Sequence, residues 1–378
     1  HKAIRRQRQM CIRDRYMKPF DVLDAEIYGE SHSEEIGGVL KGLPEGETFD
    51  PDGVRRFAAR RKSGRYLFST PRREDDEAVW EGCTPCADGL RIDGPLRVRI
   101  FNKNIRPSDY SYALTPRPSH ADYCAWVKDG ENAAKSGGGR FSGRMTAPLV
   151  ALGGVAKQLL EKRGIRIAAY ISELAGVKGR SYLDGIPSYE EAAACTEGVL
   201  PMLSNTDEAA ASAKAAAAEG DSVGGVTECV VYGMPAGLGD ALFGGLESKI
   251  SAAVYAIPAV KGVEFGAGFA IARMRGSEAN DPFAIRDGKV VTLTDNAGGI
   301  NGGISNGMPV TFRAAFRPTP SIALPQQTVD LGTMTETVIT VRGRHDATVV
   351  PRAVAAVEAA AALAVLDAVL LGEREKTE

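Results

Sequence analysis

The sequence predicts a globular fold of mixed α-helix and β-strand, and three observations carry that prediction. The chain has 378 residues, 44% of them apolar and 25% charged, ordinary proportions for a protein that buries a sizeable core. Amphipathic helical stretches alternate with short β-branched runs, and no internal repeat interrupts the alternation. Glycine is abundant at 43 of 378 residues, about 11% against roughly 7% in average proteins, so many backbone positions are tight turns or close approaches. The length allows one large domain or two to three smaller ones.

The chain opens with a basic segment, HKAIRRQRQMCIRDRY. It lacks the apolar run of a signal peptide and the length of a membrane span. Within it MCIRDR, residues 10–15, resembles the in-frame translation of a transposon sequencing adapter, so residues 1–16 are expected to be non-native, with the native chain resuming near Met17. A basic nucleic-acid arm is the competing reading, but a formal net charge of −2 supplies no wider field for nucleic acid or membrane. The six cysteines are scattered, with no second pair at zinc spacing, which fits reduced thiols in a cytoplasmic protein without a metal. Cys83-Thr-Pro-Cys86 is expected to be a plain turn.

Further along, residues 147–163 read as a helix, with Leu149, Leu152, Val155, Leu159 and Leu160 near one face and Gly164 as its stop. Residues 207–219 form an alanine-rich helix closed by Gly220. A strand follows over 223–232 and a third helix over 244–256. The last long helix begins at Pro351, a favoured first-turn residue, and runs PRAVAAVEAAAALAVLDAVLLG. Glu358 and Asp367 interrupt it and alanine gives little drive into lipid, so it is expected to be a buried core helix and not a membrane span.

Polar residues concentrate in the glycine- and proline-rich loops. GGGRFSGRMTAP, residues 137–148, gives up three side chains and then supplies Arg140 and Arg144. Bare amides and the start of the next helix would add to those guanidiniums as an anion site. Neither G-x-x-x-x-G-K-[ST] nor a strict G-x-G-x-x-G is present there, which excludes a nucleotide-triphosphate P-loop and argues against a Rossmann turn. Three of the four histidines lie in such loops: His32 in YGESHSEEIGG, His120 in RPSHADY and His345 in VRGRHDATVVPRA. Acidic or arginine neighbours are the surroundings that tune an imidazole near neutral pH. His345 and Asp346 are adjacent and in a strand would face opposite ways, so at most one enters a given pocket. Arg60, Arg61, Arg65, Arg117, Arg317, Arg344 and Arg352, grouped in these loops, read as recognition of phosphate or carboxylate. Arg72 and Arg73 beside Glu74, Asp75 and Asp76 read as solvated surface charge.

Taken together, the blocks GESH with GVLKGLPEG, ARRKSGRYLFSTPRRE, RPSHADY, GGGRFSGRMTAPLVALGGVAKQLL, DSVGGVTECVVYGMPAGLGD, AVKGVEFGAGF, DNAGGINGGISNGMPV, RPTPS and GRHDATVVPRAV resemble, in the same order, the chorismate synthase family. The resemblance runs from about Tyr28 to Leu371. It implies an α+β fold, a β-α-β sandwich with helices between two antiparallel sheets, as one domain over 17–372 followed by a short tail, and assembly as a homotetramer. It also implies an enzyme that uses reduced FMN to convert 5-enolpyruvylshikimate 3-phosphate to chorismate by 1,4-anti-elimination of phosphate. NADPH is a possible reductant, and because no added reductase domain is evident, an external flavin reductase is the expected source of reduced flavin.

By the same resemblance His32 would protonate the leaving phosphate, His120 would hold a proton near the anionic flavin, and Asp346 would act through flavin N5 to help remove the substrate hydrogen. Flavin contacts would fall on Arg140, Phe141, Ser142, Pro258, Ala259, Gly302, the run Arg317, Pro318, Thr319, Pro320 and Ser321, and on Arg344. Substrate or nicotinamide contacts would fall on Ser31, Arg61, Arg65, Arg117 and Arg144. The sequence departs from the family pattern at Ser33 and Ser119, where glycine is usual, at Arg317, where lysine is usual, and at Leu67, where a second arginine is usual. Serine does not adopt positive φ freely, so the loops at Ser33 and Ser119 are expected to sit differently. Two other classes are compatible with the residues: a catalytically impaired anion- or flavin-binding homologue, and a flavin oxidoreductase with net hydride transfer.

Overall fold

The computed structural model describes residues 14–17, 20–66, 68, 75–102, 114–130, 138–341 and 346–377. In chain order these form β1 (Asp14–Met17), β2 (Asp24–Gly29), β3 (Glu35–Lys41), β4 (Thr48–Phe49), α1 (Pro51–Ala59), β5 (Ala78–Cys86), β6 (Gly89–Phe101), α2 (Asp122–Asp129) and α3 (Thr146–Glu161). There follow β7 (Arg166–Leu174), β8 (Val177–Lys178), α4 (Tyr189–Ala194), α5 (Thr206–Ala218), β9 (Gly225–Tyr232), α6 (Leu246–Tyr255), β10 (Val260–Phe265) and α7 (Gly276–Ala279). The chain ends with β11 (Phe283–Arg286), β12 (Lys289–Thr292), β13 (Ile300–Asn301), β14 (Ile304–Ser305), β15 (Val310–Phe316), β16 (Gln326–Asp330), β17 (Thr335–Ile339) and α8 (Val350–Glu375).

Two antiparallel sheets enclose the long helices, the sandwich expected from the sequence. One runs β1-β2-β3-β6-β4, with β5 also paired to β6; the other runs β10-β15-β9-β7-β8. Between them α3 packs on α8, α3 also meeting β3 and β6, and α8 meeting β7 and β9. The contact is close because the residues are small: a Cβ on Gly153 would lie 2.3 Å from Cβ of Ala359. The alanines of α8 are thus what lets two helices and two sheets share one core, and residues 350–370 of that helix are buried except for the half-buried Arg352. Although α8 is long and apolar enough to span a bilayer by composition, it is a core helix.

Its two buried acids are satisfied internally. Glu358 accepts from Arg60 (2.6 and 3.1 Å), Lys157 (2.8 Å) and the Ala169 amide (3.0 Å). Burial alone would raise its carboxyl, but Arg60 and Lys157 overcome that and hold it at about 2. Asp367 accepts from the amides of Val22 (2.7 Å) and Leu23 (2.9 Å) and from Lys249 (3.0 Å), tying the start of the first sheet to α6 and α8.

Two local expectations need adjustment. Cys83-Thr-Pro-Cys86 is the end of strand β5 and not a turn: Cys83 pairs with Ile92 and Cys86 with Gly89. Pro85 is tolerated because β5 is an edge strand whose outer side needs no amide. β1 starts at Asp14 and pairs antiparallel with β2 from Asp14↔Tyr28 to Met17↔Ala25, so the sheet begins slightly ahead of the boundary expected near Met17. Most of the 1–16 segment lies outside the described residues.

Candidate active site

A cavity of about 310 Å³ opens where the starts of α3 and α8 meet loops from both sheets. The β2–β3 loop brings Ser31 and His32, the turn before α2 brings Arg117 and His120, and the segment into α3 brings Phe141, Ser142 and Arg144. From the second sheet come Pro258 and Ala259 before β10, and Arg317, Thr319, Pro320 and Ser321 after β15. Asp346 and Arg352 close the side next to α8. Residues separated by more than 300 positions therefore share one wall.

The glycine run shapes the entrance. Gly139 turns the chain at φ +49, a conformation that favours glycine, and its carbonyl accepts from the Ser31 amide at 3.2 Å. Gly138 and Gly143 line the cavity, and a Cβ added at Gly143 would meet nothing within 4 Å. Ser142 Oγ accepts from the Arg144 amide at 3.2 Å, fixing the turn into α3.

Five arginines line the cavity, and the protein itself holds each of them. Arg61, 3% exposed, donates Nε to Thr146 Oγ1 (2.8 Å), Nη1 to Asp76 (2.8 Å) and Nη2 toward the carbonyls of Gly143 and Arg144 (3.3 and 3.4 Å). Burial lowers its pKa to about 9, with Arg352 and Arg144 pushing the same way and Asp76 opposing. Arg144 donates Nε to Asn102 (3.0 Å) and Nη1 to Asp76. Arg117 grips Asp122 with Nε and Nη2 (2.8 and 2.9 Å). Arg317 donates Nη1 to the carbonyl of Ser119, and Arg352 donates to Asp346 (2.7 Å) and to the carbonyl of Arg61 (3.0 Å).

His120 has a defined tautomer. Its Nδ1 lies 3.1 Å from the Pro118 carbonyl, which only accepts, so Nδ1 carries the proton. In the neutral ring Nε2 then accepts from Ser321 Oγ at 2.7 Å. Burial first, and then Arg117 and Arg317, lower this imidazole to about 4, against weaker support for the proton from Pro118 and Asp122. His32 lines the same cavity.

Not every residue expected at the site reaches it. Arg140 turns to an ion pair with Asp129 and stacks over the Phe141 ring, its guanidinium carbon 4.9 Å from the ring centroid. Arg65 bonds the Thr196 carbonyl (2.9 Å) and Glu197 (3.1 Å). Gly302 forms the turn between β13 and β14 at φ +63, and neither it nor Pro318 is part of the wall. Arg344, His345 and Leu67 lie outside the described residues.

Conversely, Asp76 is no surface charge. Its side chain is 4% exposed between Arg61 and Arg144. Nothing in the sequence of the charged run 72–77 singles it out, so the sequence carried no signal for it. The anticipated departures also resolve. Ser33 has an unremarkable φ, and the single proton of its hydroxyl is shared between the carbonyls of Glu30 and Glu35 while its oxygen accepts from the Glu30 amide. Ser119 keeps a glycine-like conformation at φ +58.

Among the described residues, three wall groups bury a polar atom with no protein partner: Arg144 Nη2, Arg317 Nε and Thr319 Oγ1. Together with bare backbone at Gly138 and Gly143, this donor set suits a ligand rich in phosphate or carboxylate oxygen.

Comparison with known proteins points the same way. A profile of the chorismate synthase family matches residues 23–370. The chain is 42% identical over 348 residues to a chorismate synthase of Dehalococcoides mccartyi, covering 91% of this chain and 93% of the relative. It is 42% identical over 355 residues to one of Thermococcus kodakarensis, covering 92% and 96%. A crystal structure of chorismate synthase shares the fold at a TM-score of 0.70, with 24% identity over 93% of each chain.

Proposed function

Since the chain belongs to the chorismate synthase family, lyases of the shikimate pathway that work with reduced flavin, we propose that the arginine-lined cavity converts 5-enolpyruvylshikimate 3-phosphate to chorismate by 1,4-anti-elimination of phosphate. One observation carries the reading. Five arginines, two histidines and Asp346 converge on a single cavity in a protein of net charge −2. So local a concentration of cation matches a phosphorylated dicarboxylate and a flavin phosphate taken up together.

The unpartnered donors and the open backbone fit FMN and substrate phosphate. Phe141, Ser142, Pro258, Ala259 and the Arg317–Ser321 side of the wall would hold the flavin, and Ser31, Arg117 and Arg144 the substrate. When bound, reduced flavin supplies electron density to the substrate and recovers it, which leaves the reaction redox-neutral. The protein's own part is to bind, orient and move protons. His32 donates to the departing phosphate. His120, kept neutral by burial and by Arg117, takes a proton when an anion enters and offsets that repulsion. Asp346, oriented by Arg352, holds the proton taken from the substrate. General acid–base help of this kind is worth about 10² to 10⁴ in rate.

NADPH as reductant, an external flavin reductase and a homotetramer complete the proposal. Exposed Leu242 and Phe243, at 85% and 95%, support burial against further copies of the chain. Free Cys83, Cys86, Cys124, Cys195 and Cys229 suit a reducing cytoplasm. The deciding experiment is an anaerobic assay with chemically reduced FMN and the enolpyruvyl substrate, following chorismate and phosphate together. Equal release of both without net consumption of reductant is expected; reductant consumed in step with product, or no chorismate, overturns the assignment.

A further inference from the structure

We propose that Asp76 is the positioning residue of the anion site: its carboxylate yokes Arg61 to Arg144 and so presents Arg144 to the phosphate. The proposal rests on the function assigned above and divides labour between two arginines that the sequence treats alike.

Arg61 is largely committed to the protein. Four of its N–H contacts go to Thr146, Asp76 and the carbonyls of Gly143 and Arg144, so it frames the backbone that carries Arg144. Asp76 then spans the two side chains, Oδ2 accepting from Arg61 and Oδ1 from Arg144. Asn102 Oδ1 takes Arg144 Nε at 3.0 Å. With Nε and Nη1 so engaged, the fork of Arg144 is fixed in direction, and Nη2 is the nitrogen left buried without a protein partner in a side chain 7% exposed. Asp76 adopts φ +49 to reach this place, a conformation costly for a residue with a Cβ though tolerated best by Asp and Asn. Asp76 also borders a second, smaller cavity of about 150 Å³ behind Arg61, and its side chain is only 4% exposed, so bulk solvent screens the pair of contacts little.

A negative charge in a cavity meant for anions is unfavourable by charge alone, and that makes the test decisive in sign. In Asp76→Asn the cavity gains one unit of positive charge, which by simple electrostatics tightens anion binding. Positioning requires the opposite. The carboxamide keeps one acceptor and puts a donor where the second arginine needs an acceptor, so Arg144 loses its set direction.

The measurement is titration of inorganic phosphate into the full chain by calorimetry at low ionic strength, with FMN affinity measured alongside. Asp76→Asn is expected to weaken phosphate by about tenfold or more, the loss of one oriented charge-assisted bond, while FMN affinity stays close to wild type at a temperature where the variant remains folded. Phosphate bound equally or more tightly overturns the proposal, as does a parallel loss of FMN affinity, which marks general damage. Absence of phosphate binding by the wild type also overturns it. If Asp76→Asn does not fold, Asp76→Glu carries the test: it keeps the charge and moves it by one methylene, and wild-type phosphate affinity there overturns the role. Turnover of the enolpyruvyl substrate by wild type is scored separately, so failure of the assigned reaction is distinguishable from failure of the yoke.

Discussion

Arg317 Nη1 donates to the backbone carbonyl of Ser119, and Ser119 is held at φ +58. These are two of the positions at which the chain departs from the family motif, lysine being usual at one and glycine at the other. They meet next to His120, whose Nε2 bonds Ser321 on the same segment as Arg317. The left-handed conformation that glycine would adopt freely is thus retained by serine under a tether from arginine. Relieving it should be mildly stabilising. A non-glycine residue in this region gives up about 1–2 kcal/mol, offset by roughly 0.5–1 kcal/mol of extra chain entropy lost by glycine. Ser119→Gly is therefore expected to gain up to about 1.5 kcal/mol in denaturant unfolding. A loss of stability would show that the serine side chain, and not the tether, secures the turn.

The pH dependence of stability follows from His120. Its pKa in the folded protein, about 4, lies below the ordinary 6.5 because of burial and then Arg117. Between these values the unfolded chain binds more protons than the folded one, so stability rises with pH. The contribution is present above pH 6.5 and lost as pH falls from 6.5 toward 4. Denaturant midpoints measured at intervals from pH 7 to 4.5 should fall for wild type and fall less for His120→Gln. Superimposable curves for the two proteins would remove His120 as the titrating group.

The fold was legible in the sequence wherever a single element carried its own signal. Gly164 and Gly220 stop their helices at φ +77, and the apolar face of 147–163 and the alanines of α8 fit only a buried helix. The site was legible as residue types in loops. Arg61 and Arg144, Ser31 and His32, and Asp346 are indeed neighbours of one cavity. What could not be read were pairings made across the chain. In sequence Asp76 looks like any member of its charged run until Arg61 and Arg144 fold over it, and Arg140 resembles Arg144 until Asp129 claims it. Which arginine keeps a donor open to the cavity and which is spent on the protein depends on partners 11 to 68 residues away.

Glu358 provides a stability test away from the cavity. Arg60, Lys157 and the Ala169 amide all converge on this buried carboxylate. Glu358→Gln leaves two cations facing a neutral amide, and breaking a buried pair in this way costs about 3–5 kcal/mol. The carboxyl is held at about 2, below its ordinary 4.5, so its contribution is present above pH 4.5 and lost as pH falls from there toward 2. Urea unfolding at pH 7 should show the loss, and the wild-type–variant gap should narrow below pH 4.5. A variant as stable as wild type at pH 7 would mean that the ion pairs do no more than offset their own desolvation.

Asp346 gives the sharpest test of the reaction. Its Oδ2 accepts from Arg352 at 2.7 Å, and Arg352 also bonds the carbonyl of Arg61, so the carboxylate is aimed by a guanidinium that is itself anchored. Asp346→Asn preserves size and much of this hydrogen-bonding shape while removing the basicity that proton removal requires. The variant should still bind FMN and the phosphorylated substrate, because the cavity retains Arg144 and Arg317. Turnover with reduced FMN supplied in excess should fall by a factor on the order of 10² or more, the effect of losing one general base. An anion-binding homologue predicts no turnover in either protein, and an oxidoreductase predicts reductant consumed in step with product in the wild type. Near wild-type chorismate formation by the Asn variant would remove Asp346 from proton transfer and leave it as a partner that orients Arg352.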